Sequence, residues 1–484
     1  MKTYFKLAFV LFLLFSCTEE PEKYSLNIKV IPENSGKVTP SSGVYEEGAS
    51  VPITGVPSKY YKFKEYQGAV KGNLNPFSVK MDSNKDITIV FELKDTDEDG
   101  VTDDKDLGPN TPKGETVDEY GVSDSQKDTD GDGVTNDNDL EPNTPNGVEV
   151  DENGRGLKTY IPDDNFEQFL IDKKLDNTLD DYVYTSKIKD INELILFNKN
   201  IKDLTGIEDF VNLTILICRY NKLTSLDVSR NTSLIELDCS GNQLTSLDVS
   251  KNTSLTKLHC YLNQLTSLDV SKNISLTKLH CFANQLTSLD VSKNTSLISF
   301  SCGHNPLTNL DVSKNTSLTE LYCYDNQLKH LNLSKNTSLI ELNCSDNQLT
   351  SLDICKSTSL TILYCFANKL TSLDLSKNTS LTRLNCSDNQ LTSLDVSKNT
   401  SLIEFDCSKS QLINLDVSEN TSLTRLSCYA NQLISLDVSK NTSLTRLNCC
   451  RNKIVNINLT QDQLDNKSSS WEKDDSAVWE VISE

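Results

Sequence analysis

The sequence has few basic residues for its length, with 47 Lys and Arg against 69 Asp and Glu in 484 positions. The resulting net charge of −22 argues against nucleic-acid binding, because phosphate contacts need clustered Lys and Arg. Beyond the N-terminus, no apolar stretch is long enough to span a membrane. The sequence also lacks a paired nucleophile and base, a phosphate-binding loop and an HExxH motif. We therefore expect no enzyme.

The N-terminus has the features of an export signal. A basic start precedes an apolar run at 7–15, which is too short for a transmembrane helix. Residues 14–17, Leu-Phe-Ser-Cys, resemble a bacterial lipobox, and this resemblance implies acylation of Cys17. We expect a lipoprotein signal peptide at 1–16 and an acylated linker at 17–23. The protein would then be an extracytoplasmic outer-membrane lipoprotein, exposed on the bacterial surface and anchored through its lipid.

Residues 24–93 alternate apolar and polar side chains in short runs separated by Gly and Pro, which predicts a small β domain. Two runs, 26–30 and 87–91, have the alternation of strands. The order of the segments G-K-V-T-P, Y-E-E-G and Y-K-F-K-E-Y-Q-G resembles the B-repeat of internalin-like bacterial surface proteins. The resemblance implies a β module in a surface stalk, with Tyr66 at a position where Trp is usual.

Residues 94–146 contain two acidic loops with the same spacing. D-T-D-E-D-G-V-T-D-D-K-D begins at residue 95, and D-T-D-G-D-G-V-T-N-D-N-D begins at residue 128. Both offer oxygen ligands around a central Gly that permits a sharp turn, and Ca²⁺ takes about six to eight oxygens. The predicted calcium ligands, including the carbonyls of the two valines, are Asp95, Asp97, Asp99, Val101, Asp103 and Asp106, then Asp128, Asp130, Asp132, Val134, Asn136 and Asp139.

Helix-breaking segments follow both loops, G-P-N-T-P and E-P-N-T-P, and they argue against an EF-hand. Together with the subsequent T-P-x-G-x-x-V-D-x-x-G, the pattern resembles the thrombospondin type 3 repeat. The resemblance implies a stretch that calcium orders. We expect a stiff spacer when the metal is bound and a disordered one when like charges repel without it. The alternative is a solvated acidic linker.

Cysteine recurs every 21 residues from Cys218 to Cys449. Each repeat carries the apolar pattern L-x-x-L-x-C-x-x-N-x-L-x-x-L-x-V, which one repeat cannot bury alone, so neighbouring repeats must stack. The pattern resembles the nested 21-residue class of bacterial leucine-rich repeats. The predicted fold is mostly β, a parallel-β leucine-rich-repeat solenoid of about 13 coils at 191–464. Residues 147–190 and 465–484 would be its N-terminal and C-terminal caps.

Both halves of the repeat have extended patterns, so both walls of the solenoid are predicted to be extended. Asn242, Asn252 and their equivalents should turn inward and bond the backbone of the bends. Ser357 and Ser410 replace Asn at two such positions and mark weaker coils.

The cysteine series occupies a position that other leucine-rich repeats fill with Leu, so we expect buried packing there. Adjacent ladder cysteines have parallel Cβ vectors, which is poor disulfide geometry. Cys355 and Cys450 lie outside the series, and we expect these two thiols to be the most reactive.

Variation between repeats is concentrated beside the cysteine, whereas the half L-T-S-L-D-V-S-K-N-T-S hardly changes. Outward residues of the variable half include aromatics and Arg, which are favoured at interfaces. In leucine-rich repeats this is the concave face, so we expect a protein partner there and a role in adhesion. The alternatives are a glycan-binding module, a structural envelope protein and neutral drift of a solvated face. The predicted ligand face comprises Lys257, His259, Tyr261, Lys278, His280, Phe282, Tyr322, Tyr324, Tyr364, Phe366, Arg383, Arg425, Tyr429 and Arg446.

Overall fold

The computed structural model describes residues 20–482, so the predicted signal peptide and Cys17 lie outside the described residues. The chain forms two compact units. The first consists of the described chain up to Asn146 together with Val150–Arg155. The second consists of Gly147–Glu149 and the described chain from Gly156 onward. Within residues 20–482, no helix combines the length and the hydropathy that a membrane span needs. The domain boundaries drawn from the sequence stay predictions.

The first unit begins with a small β domain, as its alternating pattern predicts. A four-stranded sheet has the order β3-β1-β7-β5, and a second sheet has the order β2-β4-β6. The core lies between them, and Tyr66 is fully buried in it with its hydroxyl donating to the carbonyl of Ile53 at 2.9 Å. The strands are β1 (Lys23–Ile31), β2 (Gly36–Thr39), β3 (Gly43–Glu46), β4 (Ser50–Pro57), β5 (Tyr61–Gly68), β6 (Phe77–Lys80) and β7 (Lys85–Leu93).

The rest of this unit, residues 94–146 and 150–155, consists of turns without helices or named strands among its described residues. Between Phe91 and Val148, no described hydrophobic side chain is buried. Buried polar groups take that role: the hydroxyl of Thr111 lies 3.0 Å from the carbonyl oxygens of Gly108 and Gly121. This segment is therefore held by polar contacts instead of an apolar core.

The second unit opens with a cap built from β8 (Lys158–Tyr160), α1 (Asp164–Asp172), β9 (Tyr182–Tyr184) and α2 (Thr185–Ile188). The side chain of Asp163 caps α1 by accepting from the backbone N–H groups of Asn165 and Phe166. The buried ring of Phe166 stacks 6.0 Å from that of Phe210 in the first coil. These contacts tie the helix α1 to the first coil of the stack.

A parallel sheet of fourteen strands runs along the solenoid in sequential order. Thirteen coils contribute one strand each, as the repeat count predicts, and the C-terminal cap contributes the fourteenth, β25. The coil strands are β10 (Glu193–Ile195), β11 (Ile215–Ile217), β12 (Glu236–Asp238), β13 (Lys257–His259), β14 (Lys278–His280), β15 (Ser299–Ser301), β16 (Glu320–Tyr322), β17 (Glu341–Asn343), β18 (Ile362–Tyr364), β19 (Arg383–Asn385), β20 (Glu404–Asp406), β21 (Arg425–Ser427) and β23 (Arg446–Asn448). The remaining elements are a short 3-10 helix (Ile207–Asp209), β22 (Leu436–Asp437), β24 (Asn456–Leu459), α3 (Gln461–Asn466), β25 (Trp471–Glu472) and β26 (Val478–Val481).

The second wall of the solenoid, formed by the L-D-V-S segments, was also predicted to be extended, but it contains few regular strands. Its strand pairing in the described chain is limited to one bridge, Asp227 with Asp248, and to the sheet β22-β24-β26 at the C-terminal end. Elsewhere the Asp of each L-D-V-S segment bonds its own backbone, as Asp290 Oδ1 does in accepting from the N–H of Ser292 at 2.8 Å. Such local bonds compete with a strand ladder.

Two ladders of buried Asn run through the solenoid, as predicted. In the first, Asn284 Nδ2 donates to the carbonyls of Cys260 and Cys281, and its Oδ1 accepts from the N–H of Leu265. In the second, Asn294 Nδ2 donates to two carbonyls of the preceding coils, but its Oδ1 has no partner in the described chain. Only the first ladder therefore uses both ends of the amide.

The two serines that interrupt the ladders differ in what they retain. Ser357 Oγ donates to the carbonyl of Asn336 at 3.1 Å and so keeps one bond of the second ladder. Ser410 Oγ is buried without a hydrogen-bond partner among the described residues. The first ladder therefore loses its side-chain bonds at that coil.

The cysteine ladder is buried, and all fourteen described cysteines are free thiols. Burial raises the pKa of the Cys281 thiol, as of other ladder thiols, well above the usual value for cysteine, and this suppresses the reactive thiolate. Cys355 and Cys450 are partly exposed. The pKa of both is raised, mainly by the hydrogen bond to Asp353 at Cys355 and by burial at Cys450.

Thiol labelling of the native chain is still expected to modify the two accessible thiols, Cys355 and Cys450, before the ladder cysteines, which should react only after denaturation. Mass spectrometry after alkylation gives the sites directly. Rapid native labelling of any ladder cysteine would contradict the packing described here, and the variant C355S/C450S supplies the background rate.

Candidate functional site

The first β face consists of the outward side chains of the coil strands and of the residue after each ladder cysteine. Because side chains alternate along a strand, Leu279 is buried while Lys278 and His280 are half-exposed, and Phe282 follows the buried Cys281 on the outside. The structure places every residue of the predicted ligand face in one of these outward columns, half-buried or exposed. Their binding role stays a prediction.

An aromatic cluster covers the face over β13 and β14. The rings of Tyr261 and Phe282 stack with centroids 4.4 Å apart and 7° between their planes, and those of His259 and His280 lie 4.7 Å apart. Burial, and secondarily His259, lowers the pKa of His280 to about 4. The imidazole of His280 is therefore neutral at physiological pH and adds no positive charge to the cluster, while Lys257 and Lys278 lie beside it on the same two strands.

Two tyrosines lie further along the face. Tyr322 donates its hydroxyl to Glu341 Oε2 at 2.6 Å, and burial, ahead of this bond, raises its pKa. The half-buried ring of Tyr324 lies over Gly303, where a Cβ would come within 2.6 Å of it. Gly303 is therefore needed for the close approach of this ring, and both tyrosines are held in place.

A groove of about 610 Å³ lies over strands β18 to β23. Aromatic side chains form one end of it and the C-terminal cap forms the other, while small polar residues form its floor. Arg383 Nε lies 3.8 Å from one oxygen of Glu404, and Arg425 Nη1 lies 3.5 Å from the other. Its principal lining residues are Tyr364, Phe366, Arg383, Asn385, Glu404, Asp406, Arg425, Ser427, Arg446, Asn448 and Glu472.

The two acidic loops of the first unit have matching geometry. Carboxylate oxygens of Asp95, Asp97 and Asp99 all lie within 4.8 Å of one another, and those of Asp128, Asp130 and Asp132 do so as well. The first Asp of each loop accepts two backbone N–H bonds from inside the loop. The third accepts the N–H of the valine at loop position 7.

The middle Asp of each loop is fixed from outside the loop. Asp97 Oδ2 accepts from the N–H of Thr111 at 2.8 Å, and Asp130 Oδ2 accepts from that of Thr144 at 2.6 Å. The bond from Thr111 is the main cause of the lowered pKa of Asp97. Sequence reasoning did not identify these threonines as supports of the loops, although T-P follows both loops at the same distance.

The structure tests how well these loops fit a hard cation. Asp97 Oδ1 and Asp132 Oδ2 are buried and have no hydrogen-bond partner in the described chain, and such oxygens are costly unless a cation or proton meets them. The carboxylate-rich donor set is of the kind that Ca²⁺ prefers. The residues present therefore fit calcium.

The other predicted ligands lie outside the two triads. Asp103 and Asn136 accept bonds from the backbone N–H groups of Thr96 and Thr129. Asp106 and Asp139 each accept from an N–H two residues later, Gly108 and Glu141. In this arrangement they brace the loops, and the triads remain the groups of carboxylates that the structure brings together.

Comparisons with known proteins identify both folded parts. Residues 26–95 match the family described as the divergent InlB B-repeat domain, and residues 337–378 match leucine-rich repeats (2 copies). Internalin J of Listeria monocytogenes is 38% identical over 73 residues, which is 15% of this chain and 8% of that relative. The chain therefore aligns with only a small part of the curated relative.

Solved structures extend the likeness to most of the chain. The functional domain of InlJ from Listeria monocytogenes, which includes a cysteine ladder, is 34% identical, with 68% of this chain and 71% of that chain covered and a TM-score of 0.53. The internalin InlF from the same species is 22% identical, with 66% and 96% covered and a TM-score of 0.56, and shares the fold. On this evidence the chain belongs to the internalin-like family of leucine-rich-repeat proteins.

Proposed function

We propose that this chain is a non-enzymatic bacterial surface protein that binds a protein partner on its first β face. The observation that carries the proposal is the distribution of side chains. Repeated, nearly invariant residues build the solenoid, whereas aromatic, His and Arg side chains vary along the outward columns of one face. Aromatic residues and Arg are the usual anchors of protein interfaces. Adhesion or protein–protein interaction is also typical of the internalin-like fold.

A polysaccharide ligand is the alternative, and the aromatic cluster argues against it. Sugar rings bind to exposed aromatic faces, and the stacking of Tyr261 on Phe282 at 4.4 Å covers one face of each ring. These rings present their edges and, at Tyr261, a hydroxyl, which suits the mixed polar and apolar surface of a protein.

The proposal also includes an anchor and a spacer. Acylation of Cys17 would attach the protein to the outer membrane, and calcium bound by the two loops would stiffen residues 94–146. What supports the spacer is the pair of buried, unpartnered carboxylate oxygens in a segment without an apolar core. When bound, calcium would supply positive charge between the carboxylates of each triad.

The binding face can be tested with the double variant Y322A/Y324A. We expect it to retain a surface-protein partner about tenfold more weakly or worse, because both rings are held, half-buried anchors. The measurement is a pull-down of cell-surface proteins by the immobilised chain, followed by titration of the retained protein.

The matched control is Y160A/Y182A, which removes a contacting tyrosine pair, 5.4 Å between centroids, from the N-terminal cap. Its binding should equal that of the unmodified chain. Equal losses in both variants would argue against a first-face site. If the chain retained no protein but bound a polysaccharide through Tyr322 and Tyr324, the glycan alternative would replace the proposal.

A further inference from the structure

Charged side chains occupy the first position of four consecutive strands along the groove. In parallel register they are Arg383, Glu404, Arg425 and Arg446. Rungs of a parallel sheet lie about 4.8 Å apart, so the four charges span roughly 14 Å. The groove as a whole holds these three arginines and three carboxylates, Glu404, Asp406 and Glu472, so it is neutral in a chain with a net charge of −22.

The central carboxylate is shared, and the last guanidinium is not paired. Glu404 lies within 4.0 Å of both Arg383 and Arg425, whereas Arg446 has no ion pair in the part of the chain that the structure describes. The other carboxylates of the groove bond polar groups: Glu472 Oε2 accepts from Asn448 Nδ2 at 2.7 Å, and Asp406 Oδ1 accepts from the N–H of Ser408 at 2.9 Å. Arg446 and one side of Arg425 are therefore open to an external anion.

The shape of the groove lets a ligand reach these charges. Its floor is one column of short side chains, Asn385, Asp406, Ser427 and Asn448, which leave about 610 Å³ between the aromatic end and the cap. Amide and hydroxyl groups on the floor offer hydrogen bonds to a peptide backbone. A volume of several hundred Å³ is typical of ligand sites.

We infer that this groove binds an acidic protein segment whose carboxylates pair with Arg425 and Arg446 and whose neutral or basic residue faces Glu404. The negative charge within the row of arginines favours a polypeptide over an acidic polysaccharide, because a uronic acid polymer brings a carboxylate to every unit and Glu404 repels it. Arg presents a planar fork that pairs with carboxylates through two bonds. The inference rests on the proposed function and names the chemistry of the partner.

The test uses the full chain and two synthetic, fluorescently labelled peptides. One is Gly-Gly-Asp-Lys-Asp-Asp-Gly-Gly, and the other reverses every charge, Gly-Gly-Lys-Asp-Lys-Lys-Gly-Gly. The overall negative charge of the protein favours the reversed peptide, so tighter binding of the acidic peptide is diagnostic of the groove. Fluorescence anisotropy gives both affinities, and added salt should weaken the acidic complex.

We expect R425Q/R446Q to weaken binding of the acidic peptide by about tenfold or more. The matched variant K293Q/K314Q removes two exposed charges from the second wall and should change it less than about twofold. The single variant R446Q, which leaves the pair of Glu404 and Arg425 intact, should give most of the loss. All variants are at exposed positions, and thermal melting checks their folding.

Three results would overturn the inference. They are equal or weaker binding of the acidic peptide relative to the reversed one, binding that does not depend on the arginines, and displacement by polygalacturonate through the same arginines. None of these results would refute the proposed function, because retention of a protein through Tyr322 and Tyr324 is measured separately. Conversely, if Y322A/Y324A retained the protein partner normally while R425Q/R446Q lost the acidic peptide, Tyr322 and Tyr324 would not be an anchor site and the groove would stand as a binding site.

Discussion

Chelation of calcium is expected to make residues 95–155 sensitive to protease while the β domain and the solenoid stay resistant. Residues 95–139 carry 16 acidic side chains and three Lys, and the segment buries no apolar core among its described residues. Without metal, like-charge repulsion would not be offset by burial. A site filled at a thousandfold over its Kd would stabilise the folded segment by about 4 kcal/mol. Limited proteolysis with mass spectrometry, with and without EDTA, measures the change.

The variant D97N/D132N tests the same proposal at the two buried oxygens. Each substitution removes a charge from one triad, and we expect calcium affinity at both loops to fall by about tenfold or more. Asp104 and Asp137 lie in the same loops but are exposed and outside the triads, so D104N/D137N is the matched control. Calorimetry should show two sites in the unmodified chain. If no calcium is taken up, or if EDTA leaves the cleavage pattern unchanged, the spacer is not ordered by this metal.

The solenoid could be predicted because each inward position repeats with a fixed period. A Leu, Cys or Asn that recurs every 21 residues must occupy equivalent places in every coil, so one repeat specifies the next. This is why the inward Asn252 and the buried Cys281 were both identified correctly. The two carboxylate triads were predictable for a similar reason, since the sequence directly gives the spacing of their Asp residues, whereas calcium binding there stays a prediction.

The departures come from contacts that periodicity does not encode. The second wall has little strand pairing because the side chains of Asp290 and its equivalents accept from the backbone N–H two residues later. The sequence alone does not decide between this local bond and pairing with the next coil. The groove was missed because it depends on a run of short side chains, Asn385, Asp406, Ser427 and Asn448, on neighbouring strands. The sharing of Glu404 by two arginines requires side-chain orientations, which residue spacing does not give.

The substitution N294A is expected to cause a large loss of stability. Asn294 is fully buried, and its Nδ2 donates at 2.9 Å to the carbonyls of Val270 and Asn273. Each carbonyl also accepts a backbone N–H, from Asn273 and from Leu276, so alanine removes the second bond of each. At about 0.5–1.5 kcal/mol per bond, the free energy of unfolding should fall by about 1–3 kcal/mol. Because each coil contacts only its neighbours, the loss should weaken the local stack first. Urea denaturation, combined with hydrogen exchange by coil, measures both effects.

The variant N294S separates hydrogen bonding from the loss of side-chain volume. Ser357 shows that a hydroxyl in this ladder keeps one bond to the preceding coil, and Asn294 Oδ1 makes no bond that serine would lose. N294S should therefore cost less than N294A, even though both remove most of the amide. The exposed neighbour in K293A should change stability by less than about 0.5 kcal/mol. Equal losses for N294S and N294A would mean that the ladder stabilises the stack by filling space, and a loss below about 0.5 kcal/mol for N294A would refute its structural role altogether.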